Sequence, residues 1–536
     1  MKQLKIVKKA ALSTALLFGL LAPQAAVFGE TSPQPENPSN RGIHVQLLGV
    51  NDFHGQIDNY RTVNGKQVGG AEYLAAYIKK YKKQNKNTLT VSAGDTVGAS
   101  SPTSALLQDE PTIRIFNKIG FDVSTIGNHE FDEGVPEMKR LIYGGNHPAT
   151  GNFEGADFPY VCANAIDQKN GKPILPPFFI KKVNGMPIGF IGVVTQETKK
   201  TVMPTMLKGV EITDEVQAIN KYAKLLKAHG VKSIVVLAHN PASSNPDGTN
   251  PQGDAVNIAN NADDEVDVIF AGHNHAYANT TVDNKLIVQG YSYGTAFTDV
   301  DLEIDPKTKD IVKKSGQVIT TFHDGIKPDQ EVKAMVDKYK EEVAPKINKQ
   351  IGEAKEAITG TPDASGESAL GNFIADAQRV AMGSDFAFMN PGGIRADLNA
   401  GTITWGNLFS IQPFNNTLTK MTLTGAQIKA VLEQQFIDNN KKILQVSGLK
   451  VTWDQNAPVG QKMIKLTDSA GNDIAPDKEY TVTVNSFLAS GGDGFTKFTE
   501  GKNQIAGPVD LDALVKYIQD KNAPISAPPT DRIDVQ

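Results

Sequence analysis

The sequence predicts an α/β protein with two domains joined by a helix. Three observations lead to this prediction. Short β-branched runs recur from residue 43 onward and alternate with helical patterns, which is typical of sheets covered by helices. The chain has 536 residues, a length that corresponds to about two to four domains. A long segment rich in lysine and glutamate, residues 328–351, interrupts the alternation and is the natural connector.

The composition is that of an ordinary globular protein. Hydrophobic residues make up 40% of the chain and charged residues 21%, which excludes a disordered, collagen-like or multi-span membrane protein. The formal charge of −5 becomes −9 without the first 29 residues, which carry four lysines and no acid. Because an acidic body repels phosphates, we expect a small-molecule partner rather than a nucleic-acid polymer. Any phosphate chemistry must then depend on local cations or metal ions.

The first 29 residues have the pattern of a secretory signal peptide. Four lysines precede an uncharged run over residues 10–22, and a small-residue region ends at Gly29. The run is too short to span a bilayer, and the last residues are polar. Residues 30–40 follow as a flexible leader rich in Pro, Ser and Asn. We therefore expect a secreted or cell-wall-associated protein without a stable membrane anchor.

Buried strands and amphipathic helices can be assigned along both predicted domains. The strands predicted before the connector are 43–50, 88–92, 123–126, 188–194, 234–237, 266–270 and 286–288. The helices predicted among them are 72–84, 113–119 and 214–229. After the connector, the pattern predicts a helix over 425–436 and a strand over 480–484. The predicted domains are therefore 41–327 and 352–536, with 328–351 as a helical linker.

Polar side chains follow five of the predicted strands at the points where the strands end. These clusters are Asn51-Asp52-Phe53-His54, Gly94-Asp95, Gly127-Asn128-His129-Glu130, Ala238-His239 and Gly272-His273-Asn274-His275. Ligands of open α/β sheets bind just beyond the carboxyl ends of strands, so the five clusters are expected to converge. A lone histidine after a strand is usually a loop or capping residue, but five such clusters together favour one shared site.

The residue types in these clusters favour a metal centre. Imidazole mixed with carboxylate suits Zn, Mn, Fe or Ni rather than a Ca or Mg site built from oxygen alone. The number of ligands exceeds what one ion needs, which favours two divalent ions, Zn, Mn or similar, sharing a carboxylate. Two such ions can clamp the attacking and departing oxygens of an in-line phosphoryl displacement.

The five clusters, in this order, resemble the signature of calcineurin-like metallophosphoesterases. The carboxy-terminal half adds Asn390-Pro391-Gly392-Gly393-Ile394-Arg395, Gln412-Pro413-Phe414-Asn415-Asn416, Gln445-Val446-Ser447-Gly448, Asn485-Ser486-Phe487 and Gly491-Gly492-Asp493-Gly494. Together these motifs are similar to the secreted 5′-nucleotidase family, which includes bifunctional UDP-sugar hydrolases. The resemblance covers nearly all of the chain after the leader. It implies a four-layer α/β/β/α amino-terminal sandwich and an α+β carboxy-terminal substrate-binding domain.

The resemblance also implies roles for the strand-end residues. One ion would be held by Asp52, His54, Asp95 and His275, and the other by Asp95, Asn128, His239 and His273. Asp95 would bridge them, and His275 stands where many members of the family have Gln. By the same resemblance, His129 would stay off the metals and face the phosphate, oriented by Asp132. A role for His129 as a further metal ligand remains an alternative.

The motifs of the carboxy-terminal half indicate nucleotide recognition. Arg395 follows a Pro-Gly-Gly turn, and a guanidinium is a preferred partner of phosphate. The resemblance assigns the remaining residues to the base and ribose: Phe414 and Phe487 as a base sandwich, Asn390, Asn416 and Gly448 near the base, and Asp493 on the ribose hydroxyls. From the residues alone, core packing of either Phe and an ordinary turn at Asp493 remain alternatives.

Two departures from the family pattern bear on substrate choice. Members that bind 5′-monophosphates tightly often carry an arginine where residues 361–365 have neither Arg nor Lys, and Arg379 is a candidate substitute. Pro391 replaces the more usual Gly of the arginine loop.

The sequence thus predicts a secreted two-metal phosphohydrolase acting on nucleoside 5′-monophosphates by in-line attack of metal-activated water. A 2′,3′-cyclic-nucleotide phosphodiesterase or a UDP-sugar hydrolase on the same site is the alternative. An inactive surface-binding protein and a sulfur-ester hydrolase are more remote. The residues leave the base preference, the native metal and the oligomeric state open.

Overall fold

The computed structural model of the protein describes residues 42–437 and 441–536. Two six-stranded sheets form the centre of the amino-terminal half, which ends with helix Gln330–Ile347. The first sheet contains, in spatial order, strands Ile311–Thr320, Ala296–Ile304, Ile43–Val50, Thr88–Ser92, Val123–Thr125 and Tyr160–Val161. The second sheet contains Phe178–Val183, Met186–Val194, Ser233–His239, Val266–Phe270, Lys285–Gly290 and Tyr277–Val282. The predicted signal peptide and leader, residues 1–40, lie outside the described residues.

Helices cover the outer face of each sheet. Ala71–Gln84 and Glu110–Ile119 pack on the first sheet, and Gln330–Ile347 packs on these two helices. Glu215–Ala228 and Asp254–Asn261 pack on the second. Apolar side chains from both sheets fill the space between them, among them Val91, Val123, Phe190, Val235 and Phe270. The four-layer α/β/β/α arrangement implied by the resemblance is therefore confirmed.

All seven strands predicted before the connector are present, with bounds that differ from the prediction by at most two residues. Three strands of the first sheet run parallel to one another, Ile43–Val50, Thr88–Ser92 and Val123–Thr125. Three strands of the second sheet are likewise parallel, Met186–Val194, Ser233–His239 and Val266–Phe270. Parallel strands end on the same edge of a sheet, so the loops after these six strands are brought together.

The connector is partly buried, although its sequence is rich in lysine and glutamate. It forms helix Gln330–Ile347, which begins after Asp329, whose carboxylate accepts the backbone N–H of Val332 at 3.0 Å. One face of the helix is buried against the amino-terminal half, through Val332, Val336, Tyr339 and Val343. Spacings of four, three and four residues place these side chains on one stripe. Because lysine and glutamate are frequent in this segment, its composition alone does not reveal the stripe.

The carboxy-terminal half is an α+β unit built on one mixed sheet. The sheet contains, in spatial order, Gln445–Ser447, Phe386–Met389, Glu479–Asn485, Thr417–Thr424 and Lys502–Val509. Its main helices are Ala369–Met382, Trp405–Ile411, Gly425–Glu433 and Asp510–Asp520. The helix predicted over 425–436 is α-helical to Glu433 and continues as a short 3₁₀ turn. Throughout the described part of the chain, each helix is either too short or too polar to cross a bilayer.

Candidate active site

The strand ends bring the predicted metal ligands into one cluster. The structure contains three groups of potential ligand atoms, and the atoms within each group lie within 4.8 Å of one another. The groups are Asp52, His54 and His275; His54, Asp95 and His129; and Asp95, His239 and His273. Because the groups share His54 and Asp95, they are continuous. Asn128 joins them through its Oδ1, which lies 2.9 Å from Nδ1 of His273. We refer to Asp52, His54, Asp95, Asn128, His239, His273 and His275 as the ligand cluster.

Five members of the ligand cluster have a left-handed backbone. The φ angles are 49° at Asp52, 52° at His54, 49° at Asp95, 80° at His273 and 56° at His275. Residues other than glycine rarely adopt this region, and such strain costs on the order of 1–3 kcal/mol at each position. The neighbouring Gly127 is required by close packing, since a Cβ there would lie 2.1 Å from Oδ1 of Asp95. Left-handed residues also occur elsewhere in the described chain, but these five carry potential metal ligands.

Hydrogen bonds from the buried histidines turn one ring nitrogen of each into the cluster. Nδ1 of His54 donates to the carbonyl of Gly98 at 2.8 Å, and Nδ1 of His239 donates to the carbonyl of Ala93 at 2.9 Å. Nε2 of His239 lies 3.0 Å from Oδ2 of Asp95 and yet has no hydrogen-bond partner. Two ligands of one cation have this arrangement, in which a ring nitrogen lies close to a carboxylate oxygen and no hydrogen bond joins them. The residues present therefore fit a divalent metal centre.

The protonation states of His54, His275 and Asp95 agree with this fit. Nε2 of His54 and Nε2 of His275 are 3.0 Å apart. Burial lowers the pKa of His275 to about 3 and holds the pKa of His54 well below its usual value, so both rings are neutral near pH 7. Burial would raise the pKa of Asp95, but the neighbouring charges, with His239 the largest contributor, hold it well below its ordinary range. Neutral imidazoles and an ionised carboxylate are the forms that bind metal. Burial would lower the pKa of His239, but the charges of Asp95 and Asp52 raise it to about 9, so this ring must lose a proton when a metal binds.

His129 and Asp132 form a pair at the edge of the cluster. Nδ1 of His129 lies 2.7 Å from Oδ2 of Asp132, and its backbone N–H donates to Oδ1 of Asp95 at 2.9 Å. Burial would lower the pKa of His129, but the charges of Asp132 and Asp95 raise it above its ordinary value. Since Asp132 occupies Nδ1, only Nε2 of His129 remains for a substrate or a metal.

A cleft of about 340 Å³ lies between the ligand cluster and the carboxy-terminal half. Its lining includes twelve of the predicted site residues: Asp95, Asn128, His129, Asp132, His273, His275, Asn390, Arg395, Phe414, Asn416, Phe487 and Asp493. Asp52, His54 and His239 are fully buried in the cluster. Arg395 lies with its guanidinium carbon 5.9 Å from the ring centroid of Phe414, and that ring stacks on His129 at 5.8 Å. The structure thus joins the predicted metal and substrate residues at one cleft.

Hydrogen bonds fix the polar side chains of the cleft. Oδ2 of Asp493 accepts from Nδ2 of Asn390 at 3.0 Å, and Oδ1 accepts from Nζ of Lys442 at 2.8 Å. Oδ1 of Asn390 in turn accepts from Asn485 at 3.0 Å. Oδ1 of Asn416 accepts from the hydroxyl of Ser486 at 3.0 Å. These hydrogen bonds therefore fix Asn390, Asn416 and Asp493, three of the residues predicted for base and ribose.

Comparison with known proteins identifies the family. The family model for calcineurin-like phosphoesterases matches residues 45–277, and the model for the 5′-nucleotidase C-terminal domain matches residues 350–500. Cell wall protein Lmo0130 of Listeria monocytogenes is 36% identical over 560 residues, covering 96% of this chain and 70% of that protein. The chain belongs to the 5′-nucleotidase family of metallophosphoesterases. The resemblance drawn from the motifs is thus confirmed, and the chain is a hydrolase by family.

The relatives of this chain differ from one another in length and in the activity that their names give. Endonuclease YhcR of Bacillus subtilis is 43% identical over 517 residues, covering 94% of this chain. The chain spans only 41% of that endonuclease. The crystal structure of the 5′-nucleotidase precursor from Thermus thermophilus superimposes with a TM-score of 0.79 at 26% identity, covering 92% of this chain and 99% of that one.

Gly448 and Arg379, which the sequence predicts at the substrate, do not line the cleft. A Cβ at Gly448 would lie 2.2 Å from the carbonyl oxygen of Asp385, so close packing at a φ of 78° explains the glycine. Nε of Arg379 donates to the hydroxyl of Ser447 at 2.8 Å. Among the described residues that do line it, Arg395 is the only arginine or lysine.

Sequence reasoning missed two residues that contact the site. Lys442 pairs with Asp493, and nothing in its local sequence marks it. Glu197 lies 2.9 Å from Nε2 of His273. A signal for Glu197 was present, because Thr195-Gln196-Glu197 directly follows strand Met186–Val194, a sixth parallel strand end that carries an acid.

Replacing Gly492 by alanine is expected to displace the ring of Phe487. A Cβ at Gly492 would lie 2.5 Å from that ring, so the ring must move. If the ring holds a base, we expect KM for AMP to rise by about 5- to 50-fold, within the range of one lost stacking contact. Hydrolysis of glycerol phosphate, which has no base, should stay unchanged. Steady-state kinetics on both substrates tests this, and an unchanged KM for AMP contradicts it.

Proposed function

We propose that this chain removes phosphate from nucleoside 5′-monophosphates in the cleft, releasing a nucleoside and inorganic phosphate. The observation that carries the proposal is the combination of residues at the cleft: the ligand cluster, His129, Arg395 and two phenylalanines. A metal centre and an arginine suffice for a simple phosphate ester. Two aromatic rings are needed only where the substrate has a base to stack.

The proposed reaction assigns a role to each group. Two divalent ions, zinc, manganese or similar, held by the ligand cluster would acidify a water molecule and neutralise phosphate charge. The guanidinium of Arg395 would bind a phosphate oxygen. His129, oriented by Asp132, would stabilise charge on the transferring phosphoryl group and donate its Nε2 proton to the departing 5′-oxygen.

The recognition of the nucleoside is assigned to the other wall of the cleft. Phe414 and Phe487 would hold the base between their rings. Asp493, fixed by Lys442 and Asn390, would accept hydrogen bonds from the hydroxyls of the ribose. Asn390 and Asn416 would lie near the base. Gly448 would contribute only through the packing of the strand that ends at Ser447.

Phe487→Ala is expected to lower kcat/KM for AMP by about 5- to 150-fold, because one stacked ring contributes roughly 1–3 kcal/mol. The ring acts on the part of the substrate that does not react, so glycerol phosphate should be hydrolysed as well as by the parent protein. Kinetics on both substrates, with a thermal melt of the variant, measures the effect.

The comparison of the two substrates, rather than the melt, separates recognition from core packing. Phe487 packs partly against the core of the carboxy-terminal half, so some loss of stability is expected in either case. Equal losses on AMP and on glycerol phosphate would contradict the sandwich and leave a general phosphoesterase.

Phosphodiesters are the second candidate substrates. A phosphomonoester carries about −1.5 to −2 at pH 7, whereas a diester has a single ionised oxygen. Among the described residues that line the cleft, Arg395 is the only lysine or arginine, so apart from the metal ions the cleft offers one permanent positive charge to the phosphate. The relative named an endonuclease supports this candidate, and the expectation that nucleic-acid polymers are excluded stays a prediction. A panel of AMP, 2′,3′-cyclic AMP, UDP-glucose and a short single-stranded oligonucleotide, each with Mn²⁺ and Zn²⁺, distinguishes the activities.

We also propose that the protein is exported and acts outside the cytoplasmic membrane. The signal-peptide pattern of the first 29 residues supports this, as does the relative named a cell wall protein. Mass spectrometry of the mature amino terminus tests it, and recovery of the intact first residue from cells would contradict it.

A further inference from the structure

Glu197 contacts a member of the ligand cluster from outside. Its Oε2 lies 2.9 Å from Nε2 of His273, while Nδ1 of the same ring lies 2.9 Å from Oδ1 of Asn128. A carboxylate only accepts hydrogen bonds, so Nε2 carries the proton of a neutral ring. Nδ1 is then left with a lone pair that faces Asn128 inside the cluster.

We propose that Glu197 is a positioning residue that sets the tautomer and the orientation of His273 for metal binding without contacting the metal. This inference rests on the metal centre of the proposed function. Metal-binding histidines usually donate their second ring N–H to a carboxylate, a carbonyl or water, and such partners typically change metal affinity 10- to 100-fold.

The loop that carries Glu197 is itself fixed to the second sheet. Glu215, buried in the first turn of helix Glu215–Ala228, accepts the backbone N–H of Gln196 at 2.8 Å and its side-chain amide at 3.0 Å. Glu215 also accepts the side-chain amide of Asn240, the residue after His239, at 3.1 Å. One buried carboxylate therefore ties the Glu197 loop to the strand end that carries another member of the cluster.

His273 differs in this respect from two other histidines of the cluster. His54 and His239 direct their second nitrogen at backbone carbonyls, those of Gly98 and Ala93, which no substitution at those positions removes. The second nitrogen of His273 is held by a side chain. The ion assigned to Asp95, Asn128, His239 and His273 is thus the one whose affinity a single substitution at Glu197 should weaken selectively.

The test measures metal binding rather than turnover alone. Metal-free wild type, Glu197→Ala and Glu197→Gln are titrated with Mn²⁺ by calorimetry, and Co²⁺ spectra report the ligand field of each site. In Glu197→Ala we expect one of two dissociation constants to rise about 10- to 100-fold and the other to stay unchanged. Glu197→Gln should show a smaller rise, since its amide oxygen still accepts the Nε2 proton.

A nearby acid provides the matched control. Asp254 is exposed and interacts electrostatically with Glu197 and His273, but the hydrogen bond of His273 is to Glu197. Asp254→Asn removes one negative charge from the neighbourhood and should leave both dissociation constants within about twofold. An equal loss in Asp254→Asn would overturn the positioning role in favour of long-range charge.

The remaining outcomes separate this inference from the proposed function. If wild type binds two ions and Glu197→Ala binds both as tightly, the positioning role is wrong and the proposed hydrolase stands. If metal-free Glu197→Ala melts at a lower temperature than metal-free wild type and binds neither ion, the residue is structural and the inference fails. If wild type itself binds no divalent ion, the inference falls together with the metal centre.

Discussion

Asp95→Ala is expected to abolish hydrolysis together with most metal binding. Oδ2 of Asp95 lies 3.0 Å from Nε2 of His239 and 3.6 Å from Nε2 of His54, so this carboxylate stands between the two sets of ligands. A metal centre contributes several kcal/mol to stabilisation of the transition state, and its loss should lower kcat/KM by about 10³-fold or more. Metal analysis of the purified variant and turnover of AMP measure the two losses.

A second buried carboxylate controls for damage to the fold. Asp267 lies in strand Val266–Phe270, whose end leads to His273, and pairs with Lys314 at 2.9 Å away from the cluster. Asp267→Ala should lower the melting temperature but keep the metal content of wild type. Two ions per chain with normal turnover in Asp95→Ala would show that Asp95 is not a bridge.

His129→Ala is expected to keep its metal content while kcat falls by about 10²- to 10⁴-fold. That range is typical for the removal of a general acid or of a group that stabilises developing charge. The reason lies in the bond to Asp132, which occupies Nδ1 and leaves Nε2 for the substrate. Metal analysis and single-turnover kinetics on AMP separate binding from chemistry.

Asp132→Asn is the companion variant for this prediction. It keeps a side chain of the same shape but no longer stabilises a protonated His129, so we expect a smaller fall in kcat at unchanged metal content. Loss of one ion from His129→Ala would instead make His129 a ligand, an alternative that its place beside His54 and Asp95 allows.

The position of the ligand cluster was predictable from sequence, because only two geometric steps lead from the sequence pattern to the site. A β-branched run identifies a buried strand, and parallel strands end on one edge of a sheet. Asp52 and Asp95 lie within three residues after such a strand, and His239 is the last residue of one, so a polar residue at the end of each run suffices to place them. The same reasoning recovered every strand of the first half that carries a ligand.

Contacts over long sequence distances could not be recovered in this way. Lys442 and Asp493 are 51 residues apart and meet only because of the tertiary fold. Glu197 follows a strand end, but its contact with His273, 76 residues further along the chain, depends on the tertiary fold. Gly448 lies in a family motif, and only its approach to the carbonyl of Asp385 shows that it serves packing. These interactions depend on how separate elements pack, which a local pattern does not encode.

The left-handed backbone of the ligand cluster places function and stability in direct competition at the same five positions. Glycine would relax each of them, but glycine has no side chain with which to bind a metal. At roughly 1–3 kcal/mol each, their combined strain is comparable to the net stability of an ordinary domain. Substitution by glycine should therefore tend to make these positions less strained and less active. A variant of this chain that has lost its chemistry would be expected to drift toward glycine at Asp52, His54, Asp95, His273 and His275 first.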